Sequence, residues 1–295
     1  MLDTASMIFL FLVSSNFIQG QDLLNQSIEH EGRSRDYIIY LPESYDGYTP
    51  VPLLFNFHGF LGSAKEQLER GDMRPIADTA NFILVYPQGS RLIGQVTHWN
   101  SGNFPNSSVD DVGFISDLID HLLTKYNIDP NRIYACGKSN GGFFSFTLAC
   151  QLSERIAAVG SVAGTMSKVT LKDCTPSHPT PVITIHSTTD PRVSYDQSRR
   201  RAHSALEVLN YWISINKTEA TPHSTSIPDK VTTDNSYVEI YEYSGGEQCS
   251  TIRHYKVHDD GHDWPGISGN MDFSASEAIW NFVSQYNIHG KINCE

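Results

Sequence analysis

The stretch Arg132-Ile-Tyr-Ala-Cys-Gly-Lys-Ser-Asn-Gly-Gly142 constrains the fold of this chain more than any other. A run with β-propensity breaks into glycines around a serine and continues as a helix-like segment over about 141–152. A buried strand that must turn sharply into a helix needs residues without Cβ atoms on either side of the turn, and Gly137 and Gly141 stand two positions from Ser139. The pattern is that of a nucleophile elbow, which presents the serine hydroxyl above a sheet edge and aims the amides of a helix N-terminus at the same point. By itself G-x-S-x-G also describes an ordinary turn. The apolar strand before it, the helix after it, and acidic and histidine partners further along the chain favour the catalytic reading.

Composition sets the frame. With 39% hydrophobic and 11% aromatic residues in 295, the chain can bury a sizeable core. A formal net charge of −12 argues against binding to nucleic acid or an anionic membrane, both of which call for clustered Lys and Arg. The dense basic run Arg199-Arg200-Arg201 is expected on a solvated helix face. Residues 1–20 contain the apolar run Met7–Val13, too short to span a bilayer, followed by small and polar residues. They are expected to be a secretory signal, although Asp3 stands where a positive region is usual. Residues 21–295 are then expected to form one exported domain, secreted to the extracellular space or periplasm. Of the five cysteines, Cys136 and Cys150 are read as buried free thiols, and Cys174 and Cys249, both in loop-like surroundings, as a bridge.

Along the chain, strands are expected over 35–42, 51–58, 82–87, 157–162, 181–186 and 252–257, besides the elbow strand. Helices are expected over 65–80, 112–126 with Asp110 or Asp111 as N-cap, 198–215 and 274–286. The stretch Val51-Pro-Leu-Leu-Phe-Asn-Phe-His58 is almost continuously apolar, as a strand covered on both faces would be. Such alternation predicts a doubly wound, mostly parallel α/β sheet with helices on both faces and a site at the carboxyl ends of its strands. With no P-loop and no G-x-G-x-x-G after a strand, nucleotide cofactors have no support.

A serine nucleophile needs a base, and the base needs an orienting carboxylate. Among twelve histidines, His262 in Asp260-Gly-His-Asp-Trp-Pro-Gly266 follows the last expected strand, with His258 as the structural decoy. The pair His258/His262 with its neighbouring aspartates does not sit on the helix that usually brings i, i+4 histidines together, so no metal is expected. Asp190, between the 181–186 strand and His262, completes the order Ser, Asp, His. Backbone N–H groups of Asn140 and of Phe60, in the loop His58-Gly-Phe-Leu-Gly-Ser63, are the expected oxyanion donors, with His58 in a structural hydrogen bond. Trp99, Asn100 and Trp264 are expected at the substrate, the indoles as flat walls for a ring or sugar face.

Seven motifs in order carry a resemblance: HGFLGS at 58–63, VYPQG at 85–89, WN at 99–100, DDVGF at 110–114, GKSNGG at 137–142, HSTTDP at 186–191 and GHDWPG at 261–266. Over roughly residues 35–286 the chain resembles the polyhydroxybutyrate depolymerase and feruloyl esterase family of α/β hydrolases. The resemblance implies an α/β-hydrolase fold, secreted carboxylic-ester hydrolysis without a cofactor, and a triad of Ser139, Asp190 and His262. Lys138 and Asp263 depart from the family pattern, and 216–218 lacks a cysteine that many members carry, which leaves Cys249 without that partner. The substrate implied is a hydroxycinnamoyl or acetyl ester of a plant polysaccharide, with a polyester or oligoester as the alternative. A serine peptidase would require a lid or propeller domain, and a non-catalytic carbohydrate-binding homologue would normally have lost a triad member or an elbow glycine.

Overall fold

A computed structural model describes residues 22–92, 96–104 and 107–294. The leader expected over residues 1–20 lies outside them. Ten strands form one sheet: β1 (Asp22–His30), β2 (Arg33–Leu41), β3 (Val51–Phe57), β4 (Ile83–Pro87), β5 (Ile128–Lys138), β6 (Ala158–Val162), β7 (Val182–Ser187), β8 (His223–Ser226), β9 (Tyr237–Tyr243) and β10 (Ile252–His258). Their order across the sheet is β1-β2-β4-β3-β5-β6-β7-β10-β9-β8. The run from β4 to β10 is parallel, and antiparallel strands close both sides.

Among the described residues seven α-helices complete the frame: α1 (Ala64–Arg70), α2 (Arg74–Ala80), α3 (Asp111–Lys125), α4 (Asn140–Gln151), α5 (Lys168–Lys172), α6 (Ala205–Asn216) and α7 (Ala275–Val283). The period-two alternation of the central strands separates two cores. Leu53, Phe55, Ile83 and Val85 join Phe114, Leu118, Phe144 and Trp212 of α3, α4 and α6 on one face. On the other, Leu54, Leu84, Tyr86 and Tyr134 meet Leu68, Ala77, Ile279 and Trp280 of α1, α2 and α7. Every residue of β3 is buried, as its near-continuous apolar sequence requires. This is the doubly wound α/β architecture expected from the alternation of elements, and the α/β-hydrolase fold that the resemblance implies.

Three expectations are corrected. The helix expected over 65–80 is two: α1 is capped by Gly71, the Asp72 carboxylate accepts from Arg74 N–H at 2.9 Å, and Pro75, which has no N–H to donate, sits in the first turn of α2. The helix expected from 198 begins at Ala205, where Ser204 and Glu207 form a capping box, so Arg199-Arg200-Arg201 is exposed but not helical. The cysteines pair as Cys150–Cys174 and Cys249–Cys294, leaving Cys136 free and buried. Cys150 lies in the last turn of α4, where the chain leaving α5 brings Cys174 to a Cα distance of 4.8 Å. Cys174 is therefore not the partner of Cys249, and Cys150 is not a free thiol.

Candidate active site

The carboxyl ends of β3, β5, β7 and β10 converge on Ser139. Its backbone, at φ 53° and ψ −117°, lies in a region that L-residues avoid, and it persists because the surroundings leave no alternative. Ser139 N–H donates to Val162 O at 2.8 Å, and its carbonyl accepts from Phe143 N–H at 2.9 Å. Both elbow glycines are required by space. A Cβ at Gly137 would lie 2.6 Å from Phe57 O, and one at Gly141 would overlap the same carbonyl.

His262 follows β10 and is largely buried. Its Nδ1–H donates to Asp190 Oδ2 at 2.7 Å, which leaves Nε2 as the basic nitrogen. Asp190 follows β7, and its Oδ1 accepts from the N–H groups of Arg192 and Val193 at 2.8 and 2.9 Å. Burial works to raise the Asp190 pKa, but His262 and these N–H donors outweigh it and hold the carboxyl below its usual value. Below it, the buried His186 donates from Nε2 to Val193 O at 2.9 Å. Burial holds this imidazole below its usual pKa, which keeps it neutral. The hydroxyls of Ser187 and Thr189 both donate to Asp260 O at 2.6 Å, tying the loop that carries His262 to the loop that carries Asp190.

The loop after β3 faces the elbow. Among the described residues, the N–H groups of Phe60 and Asn140 donate to no other group. Leu61 N–H, by contrast, is engaged with Thr97 O at 2.9 Å. His58 fixes this loop, its Nδ1–H donating to Gly59 O at 2.7 Å and its Nε2 accepting from Gly89 N–H at 2.9 Å. Burial pushes its pKa down to about 4, so it serves as a neutral structural group. His258 is likewise occupied, bonded to Glu239 at 2.7 Å and stacked on Tyr237.

Ser139 stands between two cavities. One, of about 290 Å³, is walled by Phe60, Phe104, Phe143 and Val193, with Asn140, Arg192, Arg199 and His203 also lining it. The other, of about 430 Å³, is polar and holds His262, Gln67, Arg70, Lys138, Arg192 and Asp263. A larger open hollow of about 530 Å³ between the β1–β2 hairpin and α1 contains none of these reacting groups. Phe104, which stacks on Phe60 at 5.0 Å, and Phe143 were not singled out from sequence. Two aromatic residues following the elbow glycines, Phe143-Phe144, were the available signal.

The expected substrate residues are placed elsewhere, and this is a correction. Trp99 is fully buried between Phe57 and Phe144, with its indole N–H donating to His58 O at 3.1 Å. Trp264 is 1% exposed and donates to Ser276 Oγ. Asn100 gives its amide to Val109 O and its backbone N–H to Asp111, and lines neither cavity beside Ser139. Indoles that fill a core have no face left for a ligand.

The sheet order, the strained elbow serine and the ordered carboxylate and imidazole define an α/β hydrolase. Residues 105–232 match the Phospholipase/Carboxylesterase family model. The chain is 26% identical over 270 residues to the bifunctional acetylxylan esterase/xylanase XynS20E of Neocallimastix patriciarum, covering 92% of this chain and 36% of that protein. It is 32% identical over 165 residues to feruloyl esterase B of Piromyces equi, covering 55% of this chain and 30% of that one. It therefore spans about a third of the length of each of these relatives. Among solved structures, the acetyl xylan esterase from Aspergillus awamori superposes with a TM-score of 0.61 at 13% identity, over 81% of this chain and 94% of that one. The chain has the α/β-hydrolase fold and is similar over part of its length to feruloyl and acetylxylan esterases.

Proposed function

We propose that the protein is a serine carboxylic-ester hydrolase that releases hydroxycinnamoyl or acetyl groups from plant polysaccharide esters. Ser139 Oγ bonds to the ester carbonyl carbon while His262 Nε2 takes its proton, and Asp190 stabilises the imidazolium formed. The oxyanion is received by the N–H groups of Phe60 and Asn140. Collapse of the intermediate breaks the bond to the alcohol oxygen, which receives the proton from His262. Water then repeats the sequence on the acyl-enzyme. The observation that carries this reading is the 2.7 Å hydrogen bond between His262 and Asp190, on the cleft wall that includes Ser139. The names of the relatives above and the phenylalanine-walled cavity, suited to a flat acyl group, favour the polysaccharide ester over a polyester.

Two disulfides suit an oxidising compartment, which supports export, and among the described residues no helix is long and apolar enough to cross a membrane. The reading treats residues 21–295 as one esterase domain without a cofactor or metal. A panel of methyl ferulate, acetylated xylan and hydroxybutyrate trimer tests it. Turnover of either of the first two above the trimer is expected, and a tenfold preference for the trimer would replace this reading with the oligoester one.

A further inference from the structure

We infer that the cleft receives its leaving alcohol on a cationic wall formed by Lys138 and Arg192, and that its preferred ester carries a carboxylate on the alcohol portion, as an acidic sugar residue does. This deepens the esterase reading and rests on it. The direction of the substrate follows from proton transfer. The imidazolium must hand its proton to the departing oxygen, so the alcohol lies on the side that His262 lines. His262 lines the polar cavity together with Ser139, and the phenylalanine-walled cavity does not include it. The acyl group is therefore left to Phe60, Phe104 and Phe143, and the alcohol to the polar side, with Arg192 at the boundary because it lines both cavities.

The charge on that side is unusual for this chain. Its formal net charge is −12, yet Arg70, Lys138 and Arg192 all line the polar cavity. Glu66 answers Arg70 across one helical turn at 3.2 Å. Asp263 is the strongest favourable charge on Lys138, and Glu66 acts on it more weakly. Arg192 forms no ion pair with an acidic side chain among the described residues. Two acids thus face three cations.

Burial lowers the Lys138 pKa, and Arg70 and then Arg192 lower it further, so the like charges act on one another across the cleft. That repulsion is relieved when an anion enters between them, and removal from bulk water strengthens the contact. Neither backbone is free to retreat. Lys138 ends β5 next to the nucleophile, and Arg192 N–H is bonded to the Asp190 carboxylate. The anion position is therefore set at a fixed distance from the reacting serine.

The test compares O-feruloyl glycolate with O-feruloyl glycolamide, alcohols of similar size that differ in charge, each rate normalised to its own alkaline hydrolysis. The expected kcat/KM ratio favours the carboxylate about tenfold, the scale of one charge-assisted contact, and shrinks as salt is added. Lys138→Gln and Arg192→Gln should each reduce the ratio several-fold. A wild-type ratio at or below one, with both esters turned over, overturns the inference and leaves the esterase reading standing. A tenfold ratio that survives in both variants overturns the assignment to these residues. If neither ester is hydrolysed and Ser139 is not labelled by a fluorophosphonate, both readings fall together.

Discussion

The Asn140 side chain clamps the backbone of Trp99 at two points: Oδ1 accepts from Trp99 N–H at 2.7 Å, and Nδ2 donates to Trp99 O at 3.0 Å. The same amide donates to Ser101 Oγ at 3.1 Å, while the Trp99 indole N–H reaches His58 O. The first residue of α4, the loop after β3 and the loop around Trp99 are thereby locked into one unit around the elbow. The two proposed oxyanion donors inherit their spacing from this lock.

Asn140→Ala should leave the Trp99 N–H buried without a partner, at a cost of about 1–3 kcal/mol, and the Trp99 C=O with only the Ser101 N–H at 3.0 Å. Catalysis should suffer beyond stability, because the donors are needed most in the transition state. We expect kcat on p-nitrophenyl acetate to fall at least tenfold with little change in KM, alongside a lower Tm. A variant with reduced Tm and wild-type kcat would show that the clamp serves folding alone.

Removing triad members should give unequal losses. Ser139→Ala and His262→Ala are expected to lower kcat by about 10⁶-fold, and Asp190→Ala by about 10⁴-fold, since the carboxylate only orients and stabilises the imidazole. His258→Ala should retain activity, because its imidazole is committed to Glu239 and Tyr237. Steady-state rates on methyl ferulate decide this, and loss in His258→Ala with retention in His262→Ala would reverse the assignment of the base.

Stability should decline unusually early on acidification. Burial is the main cause that pushes His58 down to about 4 and His254 down to about 3, and it depresses His186 as well. Histidine in the unfolded chain titrates near 6.5, so between about pH 6.5 and 4 the unfolded state takes up protons that the folded state refuses. The stabilisation is fully present above about pH 6.5 and is lost as pH falls, by about 1.4 kcal/mol per unit for each such histidine. Urea midpoints measured from about pH 7 to 5 should drop steadily. A flat midpoint over that interval would mean that these imidazoles protonate in place.

Non-reducing peptide mapping should recover Cys150–Cys174 and Cys249–Cys294, with Cys136 alkylated only after unfolding. In the loop-entropy model, separations of 24 and 45 residues correspond to about 3–4 kcal/mol each. Opening the first bridge loosens the end of the elbow helix, so reduction should lower activity along with Tm. A map that links Cys174 to Cys249 would contradict the structure.

How much of this was legible in the sequence depended on whether the signal was local. Gly137, Ser139 and Gly141 announce a turn whose steric demands involve near neighbours, and the apolar run of β3 announces burial on both faces. The placement of His262 and Asp190 after consecutive parallel strands follows from chain order once the sheet is inferred. The tryptophans were misjudged because an indole in a loop next to the site has the same composition whether it faces a ligand or a core. Only Phe57 and Phe144, distant in sequence, settle that Trp99 faces inward. The Cys150–Cys174 pairing is likewise set by the path of the chain between α5 and β7, which no residue spacing reports. The start of α6 was legible but overlooked, since Ser204 and Glu207 stand in capping-box register ahead of an apolar run.

Ser139 is proposed as the nucleophile, activated by the imidazole that Asp190 orients. The most direct test of this assignment is the mass of the intact protein and of its peptides after reaction with a fluorophosphonate. One covalent adduct is expected, on Ser139, with parallel loss of ester hydrolysis and no labelling of His262→Ala on the same timescale. An adduct on another residue, or methyl ferulate turnover that persists in Ser139→Ala, would contradict it.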